Sequence, residues 1–230
     1  MSVKSLLRHV PGGGALIDFA RNVRAEKIAS SADYWEARYR EGGNSGAGSY
    51  GRLAHFKADF LNAFVRSANV QSVLELGSGD GAQLMLAHYP SYTGVDVSRT
   101  VLAAAQEKFR DRPNMRFLHA SEYSSDLKAD LVLSLDVIFH LVEDQVFEAY
   151  MQRLFEASLQ YVIIYSSNDN RGFIAPHVRH RKFTNWVRKN RRDFTLLKHQ
   201  PNAFPEDSAD PDNTSCADFY IFRKTESQEK

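Results

Sequence analysis

The sequence predicts an α/β fold: a doubly wound sheet of seven strands, helices on both faces, and an antiparallel strand pair at its C-terminal edge. Three observations predict it. From residue 71 onward, short apolar runs alternate with helical patterns, as in a mostly parallel sheet. The first of those runs enters a glycine turn. After five strand candidates, two further strand-like segments follow with a polar loop between them, which suits an antiparallel closing pair.

Residues 1–30 form a basic, amphipathic extension, interrupted by Pro11-Gly12-Gly13-Gly14. Amphipathic helices usually face a core, so packing on the domain is the first reading; contact with a membrane surface or a partner is the second. Asp33 is the expected N-cap of a short aromatic helix. A loop with Gly42, Gly43, Gly46, Gly48 and Gly51 follows, and reads as a linker or lid. Leu53, Phe56, Phe60, Leu61 and Phe64 then recur at helical spacing over 52–67. Strand candidates are Ser72–Leu76, Tyr92–Val95, Met115–His119, Leu131–Leu135 and Tyr161–Tyr165. Helix candidates are Gln83–His88, Val101–Phe109 and Asp144–Ala157. A basic insertion, 171–192, contains a helix-like piece around Phe183–Val187. Phe194–Lys198 and Phe219–Arg223 are the closing strands, with an acidic loop, Pro201–Ser215, between them. One domain over 31–225 therefore divides into 31–67 (lid and first helix), the core 71–170 and the insertion; the tail 226–230 is expected to be disordered.

Composition excludes several classes. At 230 residues, 43% hydrophobic and 25% charged, the chain has the balance of a globular domain with a sizeable core. A single cysteine, Cys216, permits no intrachain disulfide and suits a reducing cytoplasm. No apolar run reaches the ~18 residues of a membrane helix, and the first residues lack a signal-peptide core. The expected location is cytoplasmic, with peripheral membrane contact through 1–30 as the addition. A formal net charge of +1 gives no global pull toward nucleic acid, and none is expected as a partner.

The chemistry is carried by Val73-Leu74-Glu75-Leu76-Gly77-Ser78-Gly79-Asp80-Gly81, a strand running into a glycine turn. Glycines there let the backbone bend sharply and let a ligand approach the main chain. About twenty residues on, Asp96 ends the next strand, where a carboxylate can accept hydrogen bonds from ribose hydroxyls. The pair specifies an adenosine site in a Rossmann-like sheet. Gly77, Gly79 and Ala82 also satisfy a dinucleotide fingerprint, so a nicotinamide-dependent (NAD) oxidoreductase is the alternative.

With Glu75 before the turn and Gly81 within it, the sequence resembles a class I S-adenosylmethionine-dependent methyltransferase over roughly Asp33 to Lys224. Tyr34-Trp35, Tyr39 and the glycine loop, followed by Phe56-Lys57, look like a bacterial group found among surface-glycan and small-metabolite methyltransferases. The resemblance implies that Gly77, Ser78 and Gly79 line the cofactor. Glu75 would hold its amino group, Asp96 its ribose hydroxyls, and Val97 would lie against the adenine. Ser121 stands where the family usually has an aspartate for the adenine amino group, so that contact would fall to Ser121, Glu122 or main chain. Tyr34, Tyr39 and Tyr50 are the implied lid contacts, while Trp35 is expected to pack the first helix onto the sheet.

The fourth strand ends in Leu133-Ser134-Leu135-Asp136-Val137-Ile138-Phe139-His140, the end that faces the reacting centre in this fold. Leu135 would line the cofactor. His140 is the candidate general base, its unperturbed pKa lying near 6.5, and Asp136 would orient it, bind substrate or act as base itself. A strand-to-loop structural role is the alternative for both. No carboxylate cluster has metal-ligand spacing, so no metal is expected. In the basic insertion, His177, Arg179, His180 and Arg181 are the candidate substrate contacts, suited to a carboxylate or phosphate. Arg188–Arg192 read as a solvated face or as partners of the acids at 206–212. The expected activity is transfer of the methyl group of S-adenosylmethionine to an oxygen of an anionic small molecule or sugar, as in glycan (polysaccharide) biosynthesis. Besides the oxidoreductase, the alternative is a non-catalytic partner protein that keeps the fold.

Overall fold

The computed structural model describes residues 30–225. The basic extension up to residue 29, with its expected membrane or partner contact, and the tail 226–230 lie outside the described residues.

Helix α1 (Ser31–Arg40) and helix α2 (Gly51–Ser67) precede the sheet. Strands β1 (Val73–Leu76), β2 (Tyr92–Asp96), β3 (Met115–His119), β4 (Ala129–Leu135) and β5 (Ser158–Ser166) are parallel, with α3 (Arg99–Lys108) and α4 (Asp144–Glu156) as crossovers. A small hairpin, β6 (Gly172–Ala175) and β7 (Val178–His180), and helix α5 (Phe183–Asn190) follow. Strands β8 (Phe194–Gln200) and β9 (Asp218–Lys224) pair antiparallel, and β9 runs antiparallel to β5. The seven-strand order is β3-β2-β1-β4-β5-β9-β8. The order reverses at β1, between β2 and β4. At such a switch point the loops leave the carboxyl ends in opposite directions and open a crevice.

Alternation along the strands separates two cores. Leu131, Leu133 and Ile163 face a layer with Leu61 and Val65 of α2 and Leu102 and Ala105 of α3. Val132, Val162 and Ile164 face the other layer, with Met151, Leu154 and Phe155 of α4 and Phe183 and Val187 of α5.

Three local readings are corrected. Ser30, not Asp33, caps α1: its Oγ accepts the Asp33 N–H at 3.2 Å. Asp33 sits in the first turn, where its charge favours the helix N-terminus. The expected helix Gln83–His88 is a single 3-10 turn, Gln83–Leu86. Asn62 of α2 explains why it stops: it donates to the Leu86 carbonyl at 2.9 Å and accepts the His88 N–H at 2.8 Å, satisfying backbone groups that a longer helix would have used. The acids of the 201–215 loop do not pair with Arg188–Arg192. Glu206 pairs with Arg171 at 2.8 Å and Asp210 with Arg52 at 3.1 Å, while Arg191 takes Asp193 at 2.6 Å.

The packing predicts a contrast. Leu154→Ala empties a fully buried position and is expected to cost about 2–5 kcal/mol in urea unfolding. Leu159→Ala, at a residue 51% exposed, is expected to stay within about 0.5 kcal/mol.

Candidate active site

A cavity of about 510 Å³ opens at the carboxyl ends of β1, β2 and β4. Its floor is the glycine turn. Gly77, Gly79 and Gly81 have φ of +83°, +57° and +70°, the left-handed region that favours glycine. Sterics add to this: a Cβ on Gly77 would come within 2.5 Å of Val137 Cγ2, and one on Gly79 within 2.4 Å of Ser45 Oγ. The turn is pinned to β2 by backbone bonds from Gly77 and Ser78 to the Val95 carbonyl. Buried Asp96 completes the junction: one carboxylate oxygen accepts the Gly79 N–H and the other the Ser98 N–H, both at 2.9 Å. Burial raises its pKa, against those hydrogen bonds.

Glu75 lies under the turn, buried, and accepts the Tyr92 hydroxyl at 2.7 Å. Burial pushes its carboxyl up to about 7, with the Tyr92 bond and the Lys57 charge opposing. Lys57 of α2 is itself buried and donates to Asp136 Oδ2 at 2.6 Å. Asp136 holds φ +59° just past β4, its N–H bonded to the Tyr165 carbonyl at 2.9 Å.

The glycine loop before α2 closes over the turn. Asp80 receives the Ser45 N–H at 2.9 Å and the Tyr50 hydroxyl at 2.6 Å, and its own N–H reaches Ser45 Oγ at 2.9 Å. Burial alone would raise the Asp80 carboxyl, but the bonds from Tyr50, Ser45 and Ala82 hold it below its ordinary value. Burial and the Asp80 bond push the Tyr50 hydroxyl up to about 12. Tyr39 Oη sits 3.0 Å from Ser45 Oγ.

His140 lies on the cavity wall with Nδ1 3.0 Å from the His177 carbonyl oxygen. A carbonyl only accepts, so Nδ1 carries the proton and Nε2 keeps its lone pair. Burial pushes the imidazole down to about 4, so it is neutral at ordinary pH. The ring is clasped from two elements: Tyr34 stacks on His177 at 4.5 Å, His177 lies parallel to His140 at 5.8 Å, and Trp35 meets His140 edge-on at 4.9 Å.

Of the residues singled out in the sequence, Tyr39, Glu75, Gly77, Ser78, Gly79, Asp96, Val97, Leu135, Asp136 and His140 line this cavity. The others lie elsewhere. Tyr34 and Tyr50 support the wall through His177 and Asp80. Ser121 and Glu122 are exposed and form a cap with His119: Ser121 Oγ lies 2.7 Å from His119 Nδ1, and Glu122 accepts the His119 N–H at 3.0 Å. Ala120 and Tyr123 reach the cavity instead. The candidate substrate contacts of the insertion, His177, Arg179, His180 and Arg181, do not line this cavity. Arg179 donates to the Val142 carbonyl and pairs with Asp144 at 2.8 Å. Arg181 donates to the Leu141 and Val142 carbonyls and to Asp144. Buried His180 bonds Ser167 Oγ at 2.6 Å. These side chains brace the loop behind His140 and border a second depression. Trp35, expected only to pack, lines the cavity, as do Ser45, Lys57, Asp80 and Gln83. Lys57 carried a signal: it stands four residues from both Leu53 and Leu61, on the apolar stripe of α2. Among the described residues, no group of three or more His, Cys, Asp or Glu is arranged to hold a metal, and no helix is long and apolar enough to cross a membrane.

A doubly wound domain with a crevice at its switch point is thus defined, and comparison with known proteins shows what it resembles. Residues 73–158 match the family model described as a methyltransferase domain. The malonyl-[acyl-carrier protein] O-methyltransferase 1 of Ilyobacter polytropus is 30% identical over 105 residues, which are 43% of this chain and 39% of that protein. The chain thus spans about two-fifths of the length of that curated relative. The N-methyltransferase NodS of Bradyrhizobium japonicum, in complex with S-adenosyl-L-homocysteine, superposes with a TM-score of 0.63 at 16% identity, covering 86% of this chain and all of that one. Magnesium protoporphyrin IX methyltransferase of Synechocystis, with the same molecule bound, gives 0.61 at 16% identity over 84% of this chain and 98% of its own. Residues 73–158 are thus similar to a methyltransferase domain, and the fold is shared with methyltransferases solved with S-adenosyl-L-homocysteine bound; the methyl donor that this likeness implies is S-adenosylmethionine.

The residues present fit that donor. Ser78 Oγ and Gln83 Oε1 are buried cavity atoms without a hydrogen-bond partner, the cradle at Gly77 and Gly79 leaves no room for a Cβ, and the carboxyls of Glu75 and Asp96 suit a cationic nucleoside.

Glu75 also sets a stability trend. Its native pKa, about 7, is raised above the usual 4.5, so the native state holds more protons between those values and the carboxyl weakens the fold as pH rises through that window. Glu75→Gln is expected to be more stable than wild type at pH 8, by about 3 kcal/mol at ~1.4 kcal/mol per pKa unit. The gain should shrink toward pH 4.5 in denaturant titrations.

Proposed function

We propose that this protein transfers a methyl group from S-adenosylmethionine to an oxygen of a small hydroxyl-bearing acceptor, sugars included. The observation that carries the reading is His140, a cavity-lining residue whose Nδ1–H is engaged by the His177 carbonyl, which leaves Nε2 with its lone pair. When bound, the donor supplies an electrophilic methyl group on a sulfonium centre. Glu75 faces the donor's ammonium, Asp96 takes ribose hydroxyls, and Val97 walls the adenine beside Ala120 and Tyr123. Trp35, Tyr39 and the loop at Ser45 exclude water. His140 Nε2 accepts the hydroxyl proton of the acceptor. A base with a pKa of about 4 serves because that proton becomes strongly acidic as the oxygen is alkylated.

The expected anionic acceptor finds less support than the hydroxyl. Arg179 and Arg181 are engaged by Leu141, Val142 and Asp144, and the cavity already contains Glu75, Asp80, Asp96 and Asp136. The oxygen nucleophile agrees with the name of the Ilyobacter relative, an O-methyltransferase.

Calorimetric titration tests the donor: S-adenosylmethionine and S-adenosylhomocysteine should bind, and NAD should give no heat. Binding of NAD alone would overturn the proposal. In a screen of sugars and hydroxylated metabolites, His140→Ala should lose about 10²–10⁴-fold in turnover while holding S-adenosylhomocysteine within a few-fold of wild type. The His140 limb of the wild-type kcat/KM profile, which reports the free protein, should fall only near pH 4.

A further inference from the structure

Helix α1 turns one face to the wall that carries His140. Ser31, Tyr34, Trp35 and Arg38 are spaced i, i+3, i+4 and i+7, so they share a face. Glu143, just past the His140 turn, accepts the N–H and the hydroxyl of Ser31 at 2.7 and 2.6 Å. Trp35 meets the His140 ring, and Arg38 lies over the Trp35 ring at 5.8 Å. Tyr34 contacts the β6–β7 hairpin instead, stacking on His177 with centroids 4.5 Å apart and planes within 12°.

His177 meets His140 twice. Its carbonyl oxygen lies 3.0 Å from His140 Nδ1, and its imidazole lies within 9° of parallel to the His140 ring, centroids 5.8 Å apart. The hairpin that carries it has little core of its own, since Phe173 and Ile174 are 60% and 58% exposed. Arg179 and Arg181 fix the β7 end on the carbonyls at 141 and 142. At the turn, the His177 ring is not held by its buried nitrogen: among the described residues Nδ1 has no hydrogen-bond partner. The flat face of Tyr34 is what seats it. A neutral imidazole keeps one tautomer only where a fixed group engages one nitrogen. We propose that Tyr34 is a positioning residue: by stacking on His177 it holds the hairpin turn where the His177 carbonyl keeps the His140 proton on Nδ1. This rests on the reading of His140 as the base, for which Nε2 must stay unprotonated.

Imidazole nitrogen NMR on the full chain tests the proposal without a methyl acceptor. With His140 assigned from the spectrum of His140→Gln, the wild type is expected to show the Nδ1–H form at about pH 7, where the ring is neutral. Tyr34→Leu keeps bulk and loses the flat face; it should lower the ratio of Nδ1–H to Nε2–H by about 3- to 10-fold, the worth of one aromatic pair. Tyr34→Phe keeps the face and should hold the ratio within about 1.5-fold of wild type. His177→Leu keeps the carbonyl and loses the ring; it should match Tyr34→Leu, and the double variant should fall no further, because both act through one contact. If Tyr34→Leu does not fold, Tyr34→Met carries the same comparison. A wild type in the Nε2–H form, an unchanged ratio in Tyr34→Leu, a loss that Tyr34→Phe shares, or additive losses in the double variant would overturn the assignment. Full turnover by His140→Ala in the acceptor screen would overturn the base reading and leave the ring coupling standing, a separate outcome.

Discussion

A lysine ammonium withdrawn from water must be neutralised where it lies, and the arrangement around Lys57 follows from that requirement. Its counter-charge, Asp136, follows the last residue of β4 and takes a left-handed backbone conformation to meet it. That geometry is held by the Tyr165 carbonyl of β5 and covered by the glycine loop, where a Cβ at Gly48 would lie 2.7 Å from Asp136 Oδ2. One ion pair therefore ties α2 to the end of β4, beside β5 and beneath the glycine loop. Removing either partner alone leaves a buried charge without compensation, which typically destabilises more than the intact pair stabilises.

Around this pair the sheet assigns its tasks by strand. β1 supplies the glycine turn, β2 the carboxylate that ties the turn down, and β4 the Asp136–His140 segment. They converge because the strand order reverses at β1. The basic insertion does not enter the cavity. It braces the wall, with Arg179 and Arg181 gripping the carbonyls at 141 and 142 and the hairpin turn presenting the His177 carbonyl to His140.

The sheet was legible in the sequence because apolar strands and amphipathic helices differ in period, and Glu75–Gly81 with Asp96 marked the place of the cavity at the switch point. The residues that complete the cavity were less so. Lys57 stood out only as a charge on a buried stripe. The β6–β7 hairpin is three to four residues per strand, too short for alternation to register. A run of arginines reads as an anion site until the structure supplies the carbonyls they hold, which no side-chain pattern encodes. His140 was found from its place after β4, but its low basicity arises from burial and from neighbours distant in sequence.

The clasp on His140 has a mechanical consequence. Its imidazole is held between Trp35, on α1, and His177, on the hairpin, and Tyr34 joins those two elements. Trp35 of α1 both lines the cavity and meets the His140 ring, so the covering of the cavity and the seating of the imidazole rest on one side chain.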